Sequence, residues 1–287
     1  MIIDMKIIIR NIAVLFFIGL IINGCQKMDH PPLGDYPKDA NPPGGPLKFF
    51  IALDGTNVDS TKANFGTNTN VNYVDGVSGQ AMSADADGHI VYPSGNDFNT
   101  STSFTIAFWI KKDGPNAAGG GTTFAFGFAT SKDIWTAQDI FLEFEDAGNP
   151  SSKDSAAAKF YLNDQWFEFT KTSDIDKRMP HVLDGNWHHL AFVFDSASST
   201  LTPYVDGAAP TNLPDGFGKF NNNGGKLDFS SLAGLVVGGP GMYALGKTPD
   251  DIGQTWMGNF NGAIDQFRLY GEALSAADVK SLYDNKE

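Results

Sequence analysis

Short apolar or alternating runs, separated by clusters of Gly, Asn, Asp and Ser, recur along the chain from Leu47 onward. Runs of this length and spacing are typical of β-strands that bury one face against a partner sheet. The pattern therefore predicts an all-β protein, a two-sheet antiparallel sandwich, with thirteen strands in residues 48–53, 71–75, 79–84, 88–92, 103–112, 122–129, 139–145, 158–163, 165–170, 187–195, 200–206, 233–238 and 257–270.

The alternation within two of these runs predicts which side chains enter the core. In residues 103–112 one face is wholly apolar, and we expect that face in the core: Phe104, Ile106, Phe108 and Ile110. In residues 262–270 the face that carries Ala263, Asp265, Phe267 and Leu269 is the more apolar. Asp265 is therefore expected to be drawn inward, where its carboxylate needs hydrogen-bond donors or a cation.

A helical pattern is found only at residues 274–285. Ser275 stands where an N-cap residue would, and Asp278 follows three positions later, as in a capping box. We therefore predict one short C-terminal helix that closes the domain.

The amino terminus has the layout of a secretory signal peptide. Lys6 and Arg10 precede residues 12–22, which are all apolar or glycine. As a helix that run would span about 16 Å, too little for about 30 Å of hydrocarbon. A chain that begins at Met5 would give the more usual leader, because Asp4 would then be absent.

Residues 22–25, with the sequence Ile-Asn-Gly-Cys, resemble the lipobox of bacterial lipoproteins. The resemblance implies cleavage before Cys25, lipidation of that cysteine, and anchoring to the outer membrane with the domain facing the cell surface or the periplasm. A buried thiol or half of a disulfide is the alternative for Cys25. The predicted organisation is a signal peptide at 1–24, a lipidated cysteine with a Pro/Gly-rich tether at 25–46, and the sandwich at 47–287.

Charge and cysteine content narrow the possible partners. The chain has 33 acidic and 20 basic residues, for a net charge of −13, and Cys25 is its one cysteine. Such a surface repels phosphate backbones, so nucleic acid is an unsuitable partner, whereas neutral glycans and divalent cations are better suited. With Cys25 lipidated, the sandwich has no cysteine for a disulfide, so its core must stabilise it.

Six segments then occur in the order found in one domain family: "FFIALDGTNVDS", "VDGVSGQAM" before "GHIVYP", "SFTIAFWIKKDG", "GNWHHLAFVFD", "LTPYVDGAAP" and "FNGAIDQFRLYGEALSAADVKSLY". Together they resemble the LamG-like jelly-roll domains of the concanavalin A-like lectin/glucanase superfamily, over nearly all of 47–287. The resemblance implies a structural Ca²⁺ near the junction of the first and last strands, with Asp54, Asp59 and Asp265 as its ligands. The alternative is that Asp54 caps a turn, Asp59 is solvated and Asp265 accepts hydrogen bonds.

The resemblance also implies carbohydrate binding, which usually needs an aromatic platform for the C–H faces of a pyranose. Four aromatic residues in loops or at strand ends are candidates: Trp135, Trp166, Tyr243 and Trp256. Packing at the rim of the sandwich is the alternative for each of them. Trp109 and Trp187 lie within the most apolar strands and are expected in the core.

Catalysis is the sharper alternative, because the superfamily includes glucanases that use paired carboxylates. Glu143 and Glu145 lie two positions apart, on one side of a strand and roughly 7 Å from each other. Their context departs from the Glu-x-Asp-x-Glu run of those glucanases, and a solvated strand face is the simpler and favoured explanation for them. His188 and His189 are adjacent, so they point to opposite faces of a strand and cannot chelate one ion; one is expected to be exposed and the other hydrogen-bonded.

These observations predict a cell-envelope lipoprotein whose sandwich binds a glycan or glycoprotein without catalysing its turnover. A structural or adhesive accessory subunit that binds another envelope protein is the first alternative. A glycoside hydrolase is the second.

Overall fold

The computed structural model describes residues 45–84, 87–116, 121–132, 135–145 and 151–286. They belong to one structural unit, which spans Pro43–Glu287. The strands are β1 (Leu47–Ile51), β2 (Val58–Asp59), β3 (Asn64–Phe65), β4 (Thr67–Thr69), β5 (Asn72–Asp75), β6 (Gln80–Ser83), β7 (His89–Tyr92), β8 (Phe104–Asp113), β9 (Thr122–Thr130), β10 (Gln138–Phe144), β11 (Ser155–Ala156), β12 (Ala158–Leu162), β13 (Gln165–Phe169), β14 (Met179–Pro180), β15 (Asp184–Asp195), β16 (Thr200–Val205), β17 (Leu232–Val237), β18 (Met257–Asn259) and β19 (Ala263–Tyr270).

Two large sheets form a sandwich, as predicted. The seven-stranded sheet has the order β16-β15-β8-β19-β6-β5, and β1 pairs with the second half of β19. The eight-stranded sheet has the order β13-β12-β10-β9-β17-β7-β4, and the short strand β18 pairs in parallel with the start of β9. The other pairs of named strands in these two sheets are antiparallel, as in the predicted fold class.

The core lies between the inner faces of the two sheets and is rich in phenylalanine. The predicted inner face of β8 is confirmed, because Phe104, Ile106, Phe108 and Ile110 are all fully buried in the main cluster. Rings from opposite sheets meet directly, as where Phe160 of β12 stacks on Phe192 of β15 with centroids 4.6 Å apart. Burying a side chain of this size stabilises a fold by about 1.5–3 kcal/mol.

A β-bulge in β19 redirects side chains in a way that simple alternation does not anticipate. In β19 the pairing with β8 shifts between Asp265 and Arg268, and Gln266 adopts a φ of 49°. Ile264 therefore faces the core together with Phe267, whereas Asp265 faces outward under another loop. The predicted burial of Asp265 is confirmed, but its predicted face is wrong because of this bulge.

The C-terminal helix is confirmed, including its first turn. Helix α1 spans Ala276–Asn285, and Ser275 and Asp278 form a reciprocal capping box. Its buried Val279 packs on the outer face of the seven-stranded sheet. Within the described residues, no helix combines the length and the apolar character needed to cross a membrane. The predicted signal peptide, the predicted lipidation site Cys25 and the predicted tether up to residue 44 lie outside the described residues.

The paired histidines occupy opposite faces of β15, as predicted, but both are buried. His188 lies between Asp206 and Asp184, 2.8 Å and 3.0 Å from their carboxylates, so the expected exposed histidine is in fact ion-paired. His189 lies beside Trp109, and its ring nitrogens have no hydrogen-bond partner. Burial lowers the pKa of His189 to about 4. Trp109 is buried as expected, whereas Trp187 is only half-buried.

Candidate functional site

The outer face of the eight-stranded sheet carries a second apolar cluster, separate from the core. This outer cluster consists of five buried side chains: Phe124, Phe141, Tyr161, Met242 and Met257. Phe141 and Tyr161 face outward because they alternate with core residues of β10 and β12, and their rings stack 4.9 Å apart. Phe124 joins them because the pairing of β9 with β10 shifts beside Ala125 and turns Phe124 away from the core.

Three of the four predicted platform residues converge on this outer cluster. The ring of Trp135 lies 5.2 Å from that of Trp166 and 5.6 Å from that of Trp256. Trp166 also packs edge-on against Tyr161 at 4.9 Å, and the ammonium of Lys159 lies 5.3 Å from its ring centre. Trp166 of β13, Trp135 between β9 and β10, and Trp256 directly before β18 therefore form one aromatic patch.

Two of the tryptophans keep accessible faces. Trp135 and Trp256 are each 37% exposed, whereas Trp166 is half-buried and supports them. Beside Trp135 is a cleft of about 300 Å³, which we call the aromatic cleft; it is lined by Trp135, Thr136, Ala137, Lys247, Ile252 and Gln254. Gln254 also accepts a 2.6 Å hydrogen bond from the indole nitrogen of Trp256, which fixes that ring. The cleft combines apolar surface with a few polar groups, as small-ligand sites do.

Local backbone geometry holds Trp135 at this position. Thr136 and Ala137 follow with φ of 52° and 59°, a left-handed conformation that costs about 1–3 kcal/mol per residue and that surrounding contacts must maintain. The Gln138 side chain supplies such contacts, since it donates to the Thr136 hydroxyl at 3.3 Å and accepts from the Gly241 N–H at 2.6 Å. The two segments that line the aromatic cleft are thereby joined.

Tyr243 does not join the tryptophan patch. Its ring stacks on His89 at 4.3 Å, and its hydroxyl donates to the Asn259 side chain at 3.0 Å. Burial lowers the pKa of His89, which favours the neutral ring in this stack. The structure therefore divides the four predicted platform residues into a group of three and a separate tyrosine.

A second, polar cleft of about 330 Å³ is lined by Lys132, Asn163, Asp164, Asn222, Asn223 and Asp228. Lys132 is ion-paired with Asp228 at 2.5 Å. Asn163 is almost fully buried and joins the cleft to the sheet, because its side chain donates to the Asp139 carboxylate at 2.8 Å and accepts from the Asp228 N–H at 2.7 Å. Burial raises the pKa of Asp139 to about 6, and one of its carboxylate oxygens has no hydrogen-bond partner.

Glu143 and Glu145 are not the solvated strand face that was the simpler expectation. Glu143 is only 1% exposed, and its Oε2 has no hydrogen-bond partner. Burial, reinforced by the negative charge of Glu145 and opposed by Lys159, raises the pKa of Glu143 to about 8. Glu145 forms an ion pair of 2.5 Å with Lys159. Glu143 is buried because it lies on the same face of β10 as Phe141, a member of the outer cluster.

The three aspartates predicted as calcium ligands do not converge. Asp59 is fully buried, and its carboxylate accepts four hydrogen bonds, from the N–H groups of residues 50, 61 and 62 and from the Asn96 amide. Asp54 and Asp265 both bind the turn that precedes β6, through Gln80 N–H and Val77 N–H. In the part of the chain that the structure describes, no three His, Cys, Asp or Glu side chains form a metal-binding group.

Asp265 nevertheless keeps a feature that a cation would satisfy. Its Oδ1 is buried without a hydrogen-bond partner. Burial raises the pKa of Asp265 to about 6, the Val77 N–H opposes the rise, and the charge of Asp54 adds to it. Asp54 and Asp265 thus lie at one turn, where the charge of Asp54 opposes ionisation of Asp265, so these two carboxylates fit a cation, whereas Asp59 is occupied by its donors.

The residues that sequence reasoning missed are those that support the patch or line its rim. Phe141, Tyr161 and Phe124 read as ordinary strand residues in the sequence, and Lys247 and Ile252 lie in an irregular segment. Alternation could have placed Phe141 and Tyr161 on one face. The position of the irregular segment above that face depends on tertiary packing and has no local signal.

Curated relatives match part of the chain. The sushi, von Willebrand factor type A, EGF and pentraxin domain-containing protein 1 of Mus musculus is 30% identical over 142 residues, which are 47% of this chain and 4% of that protein. The Rattus norvegicus protein of the same name is 28% identical over 127 residues, or 43% of this chain and 3% of that protein. The chain therefore spans only a small part of the length of these relatives.

Solved structures share the fold at low sequence identity. Domain 4 of AbnA, an extracellular arabinanase from Geobacillus stearothermophilus in complex with arabinotriose, has a TM-score of 0.51 at 20% identity and covers 83% of this chain and 98% of that one. The binding domain of Paraclostridial Mosquitocidal Protein 1 has a TM-score of 0.54 at 14% identity, over 84% and 52%. Trypanosoma rangeli sialidase in complex with the inhibitor DANA has a TM-score of 0.52 at 14% identity, over 83% and 32%.

A family model supplies the assignment that these low identities do not. Residues 84–280 match the Laminin_G_3 model, described as the concanavalin A-like lectin/glucanases superfamily, and they make up more than half of the chain. The match covers β8 to β19 and both clefts, and the sandwich topology agrees with it. The resemblance seen in the sequence is thereby confirmed. This chain belongs to the concanavalin A-like lectin/glucanase superfamily.

Proposed function

We propose that this protein is a non-catalytic carbohydrate-binding lipoprotein that holds a glycan or the glycan of a glycoprotein at the aromatic cleft. The observation that carries the proposal is the exposure of Trp135 and Trp256 side by side, where Trp135 lines a cleft of about 300 Å³ and Trp256 is hydrogen-bonded to the lining residue Gln254. A sugar ring can lay its C–H face on such a ring, and nearby amide and hydroxyl groups can bind its hydroxyls. The arabinanase domain in complex with arabinotriose supports a sugar ligand for this fold.

Exposed aromatic rings in a soluble domain cost solvation free energy unless a ligand covers them. Trp135 and Trp256 are two of the four large apolar side chains that are exposed among the described residues. The other two, Phe65 and Val74, lie on β3 and β5, neither of which belongs to the eight-stranded sheet. The adjacency of two exposed tryptophans on a rigid support favours binding over incidental exposure.

The placement of Glu143 and Glu145 supports the proposal of binding without turnover. Glu143 is buried opposite Phe124 of the outer cluster, and Glu145 is ion-paired with Lys159. A glycosidase needs an acid and a second carboxylate that both reach the scissile bond. Neither group is placed to do so from the aromatic cleft, which is lined by other residues.

The proposed location follows from the sequence. Lipid attached to Cys25 would anchor the chain in the outer membrane, and the tether of residues 26–46 would hold the sandwich away from the bilayer, towards the cell surface or the periplasm. Metabolic labelling with a palmitate analogue should mark the wild-type protein and not a Cys25→Ser variant. Labelling of that variant would refute the anchor.

Calcium is proposed as a structural ligand of Asp54 and Asp265, with backbone and water oxygens completing its shell. It would supply charge compensation for the unpartnered Oδ1 of Asp265. Saturating calcium should raise the melting temperature of the wild-type protein relative to chelator and should leave an Asp265→Asn variant unchanged. Equal melting temperatures of the wild type in calcium and in chelator would remove this ion from the proposal.

A glycan array tests the proposed function. The wild-type domain should bind a set of glycans, and Trp135→Ala and Trp256→Ala should each remove that binding. Phe65→Ala is the matched control, since it deletes an exposed aromatic ring outside the eight-stranded sheet. Binding that survives both tryptophan substitutions would refute the site, and the absence of any glycan hit would favour an adhesive subunit that binds another envelope protein.

A further inference from the structure

The aromatic cleft and the polar cleft are linked by one side chain, that of Tyr161. The phenol ring of Tyr161 lies 6.2 Å from the ring of Trp135, and its hydroxyl donates a 3.0 Å hydrogen bond to Oδ1 of Asp164. The same hydroxyl interacts with the backbone of Trp135. Trp135 lines one cleft and Asp164 lines the other, so the buried side chain of Tyr161 contacts one lining residue of each.

We infer that the two clefts form one groove for a neutral oligosaccharide of two or more units, which stacks on Trp135 and is hydrogen-bonded by Asp164 and Asn222 at its other end. This inference rests on the proposed function and adds the ligand's length, its charge and the residues that select it.

The free polar atoms of the second cleft suit sugar hydroxyls. Among described residues, nothing donates a hydrogen bond to Oδ2 of Asp164 or to the side-chain oxygens of Asn222 and Asn223. Three acceptors in one cleft call for a ligand with several donors, and a carboxylate bound to hydroxyl groups gives the stronger, charge-assisted hydrogen bonds. A polyhydroxylated sugar provides donors at this density.

The charges at the polar cleft favour a neutral sugar over an acidic one. Asp164 and Asp228 line it, and Asp139 lies buried behind Asn163. The one cation of the cleft, Lys132, is already paired with Asp228. A uronate or sialate carboxylate at this end would meet like charges without a free cation, and such contacts are unfavourable.

The polar cleft is preformed. Asn163 and Asp164 make the two-residue turn between β12 and β13, with φ of 42° and 63°, the left-handed pair that such hairpins require. The amide of Asn222 donates to the Asp164 carbonyl at 2.5 Å, and Asn163 binds Asp228 on the other side. Because these bonds already order the turn, the ligand loses little affinity to loop ordering.

Titration calorimetry with oligosaccharides of graded length tests the inference. The probes are arabino-, xylo- and cello-oligosaccharides of one to six units, together with oligogalacturonides of the same lengths. For a series that binds, the affinity should rise about tenfold or more between the shortest member and a longer one that spans both clefts, the equivalent of one or two added hydrogen bonds. The oligogalacturonides should not bind.

Asp164→Asn separates the two ends of the groove. Asparagine tolerates the left-handed turn and can still accept from Tyr161, so the fold should be retained, as a melting curve will verify. The variant should weaken binding of the long oligosaccharides about tenfold and leave the shortest unchanged. Asp75→Asn, on the exposed edge strand β5 of the other sheet, is the matched control and should change neither.

The outcomes distinguish this inference from the proposed function. The shared groove is overturned if the affinity depends on Trp135 but not on oligosaccharide length. It is also overturned if Asp164→Asn weakens binding equally for all lengths. In both cases the proposed site at the aromatic cleft remains. Tight binding of oligogalacturonides overturns the predicted neutrality. Failure of the three neutral series to bind overturns this inference, whereas the proposed function is overturned only if the glycan array gives no hit.

Discussion

Replacing Glu143 by glutamine should stabilise the protein at alkaline pH and not at acidic pH. The carboxyl group is 1% exposed and its Oε2 lacks a hydrogen-bond partner, and burial and then Glu145 raise its pKa from 4.5 to about 8. At pH 7 the folded protein therefore holds a proton on Glu143 that the unfolded chain releases. The stability associated with this group is complete below pH 4.5 and is lost as the pH rises through 8.

The linkage relation gives the size of the effect. The loss amounts to about 3 kcal/mol at pH 7 and about 5 kcal/mol above pH 8. Glutamine has nearly the same shape and does not titrate, so Glu143→Gln should avoid this loss. Urea unfolding followed by tryptophan fluorescence at pH 5, 7 and 8.5 gives the unfolding free energies of variant and wild type. Their difference measures the loss caused by Glu143, because the titrations of other groups cancel.

Glu168→Gln is the matched control, because Glu168 lies on the same sheet face, next to Lys159, but is exposed. Its effect should stay within about 0.5 kcal/mol at each pH, as for most surface substitutions. A Glu143→Gln difference that does not grow between pH 5 and pH 8.5 would show that Glu143 is ionised in the folded protein, and the reasoning would be wrong. Release of reducing sugar by the wild type, abolished in Glu143→Gln, would restore the glycosidase hypothesis.

Three further predictions concern other parts of the sandwich. Burial opposes protonation of His188, but its bonds to Asp206 and Asp184 outweigh burial and raise the pKa of His188. The stability that these bonds contribute is therefore present below pH 6.5 and is lost as the pH rises through the folded pKa. His188→Gln should cost about 2 kcal/mol at pH 5.5 and less at pH 9 in urea unfolding, and equal losses would contradict this. Ser275→Ala should cost about 1 kcal/mol in thermal unfolding, because it removes the helix cap, whereas an unchanged melting temperature would refute that role. Gly127→Ala would place a methyl group 2.5 Å from the Gly241 nitrogen, so it should cost about 1–3 kcal/mol in urea unfolding and weaken glycan binding; retention of both would show that the segments can separate.

Much of the fold could be predicted from the sequence because its determinants are local. The inner face of β8 follows from the period of two, and helix α1 follows from Ser275 and Asp278. The bulges beside Ala125 and at Gln266 could not be predicted in this way. One extra residue in a strand moves every later side chain of that strand to the opposite face of the sheet. Neither of these positions carries the glycine that often marks a bulge.

The candidate site could be predicted only in part. Trp135, Trp166 and Trp256 were identifiable as aromatic residues outside the core strands, but their convergence depends on β18 pairing with β9, a contact between distant parts of the chain. Tyr243 has the same local character and nevertheless packs on His89. Glu143 was misjudged because alternation reports the side of a strand and not what covers that side.

Strands β9 and β10 are buried on both faces along their whole length, which is unusual in an antiparallel sandwich. The outer cluster, which includes Phe124 and Phe141 of these strands, therefore also stabilises the fold. A change at Phe141, whose ring lies 6.0 Å from that of Trp135, would alter the position of Trp135 and the folding together. The rim residues Trp135, Lys247 and Gln254 carry no such constraint. Under the proposed function, diversification of ligand preference, by evolution or by engineering, should therefore proceed through these rim residues while the outer cluster is retained.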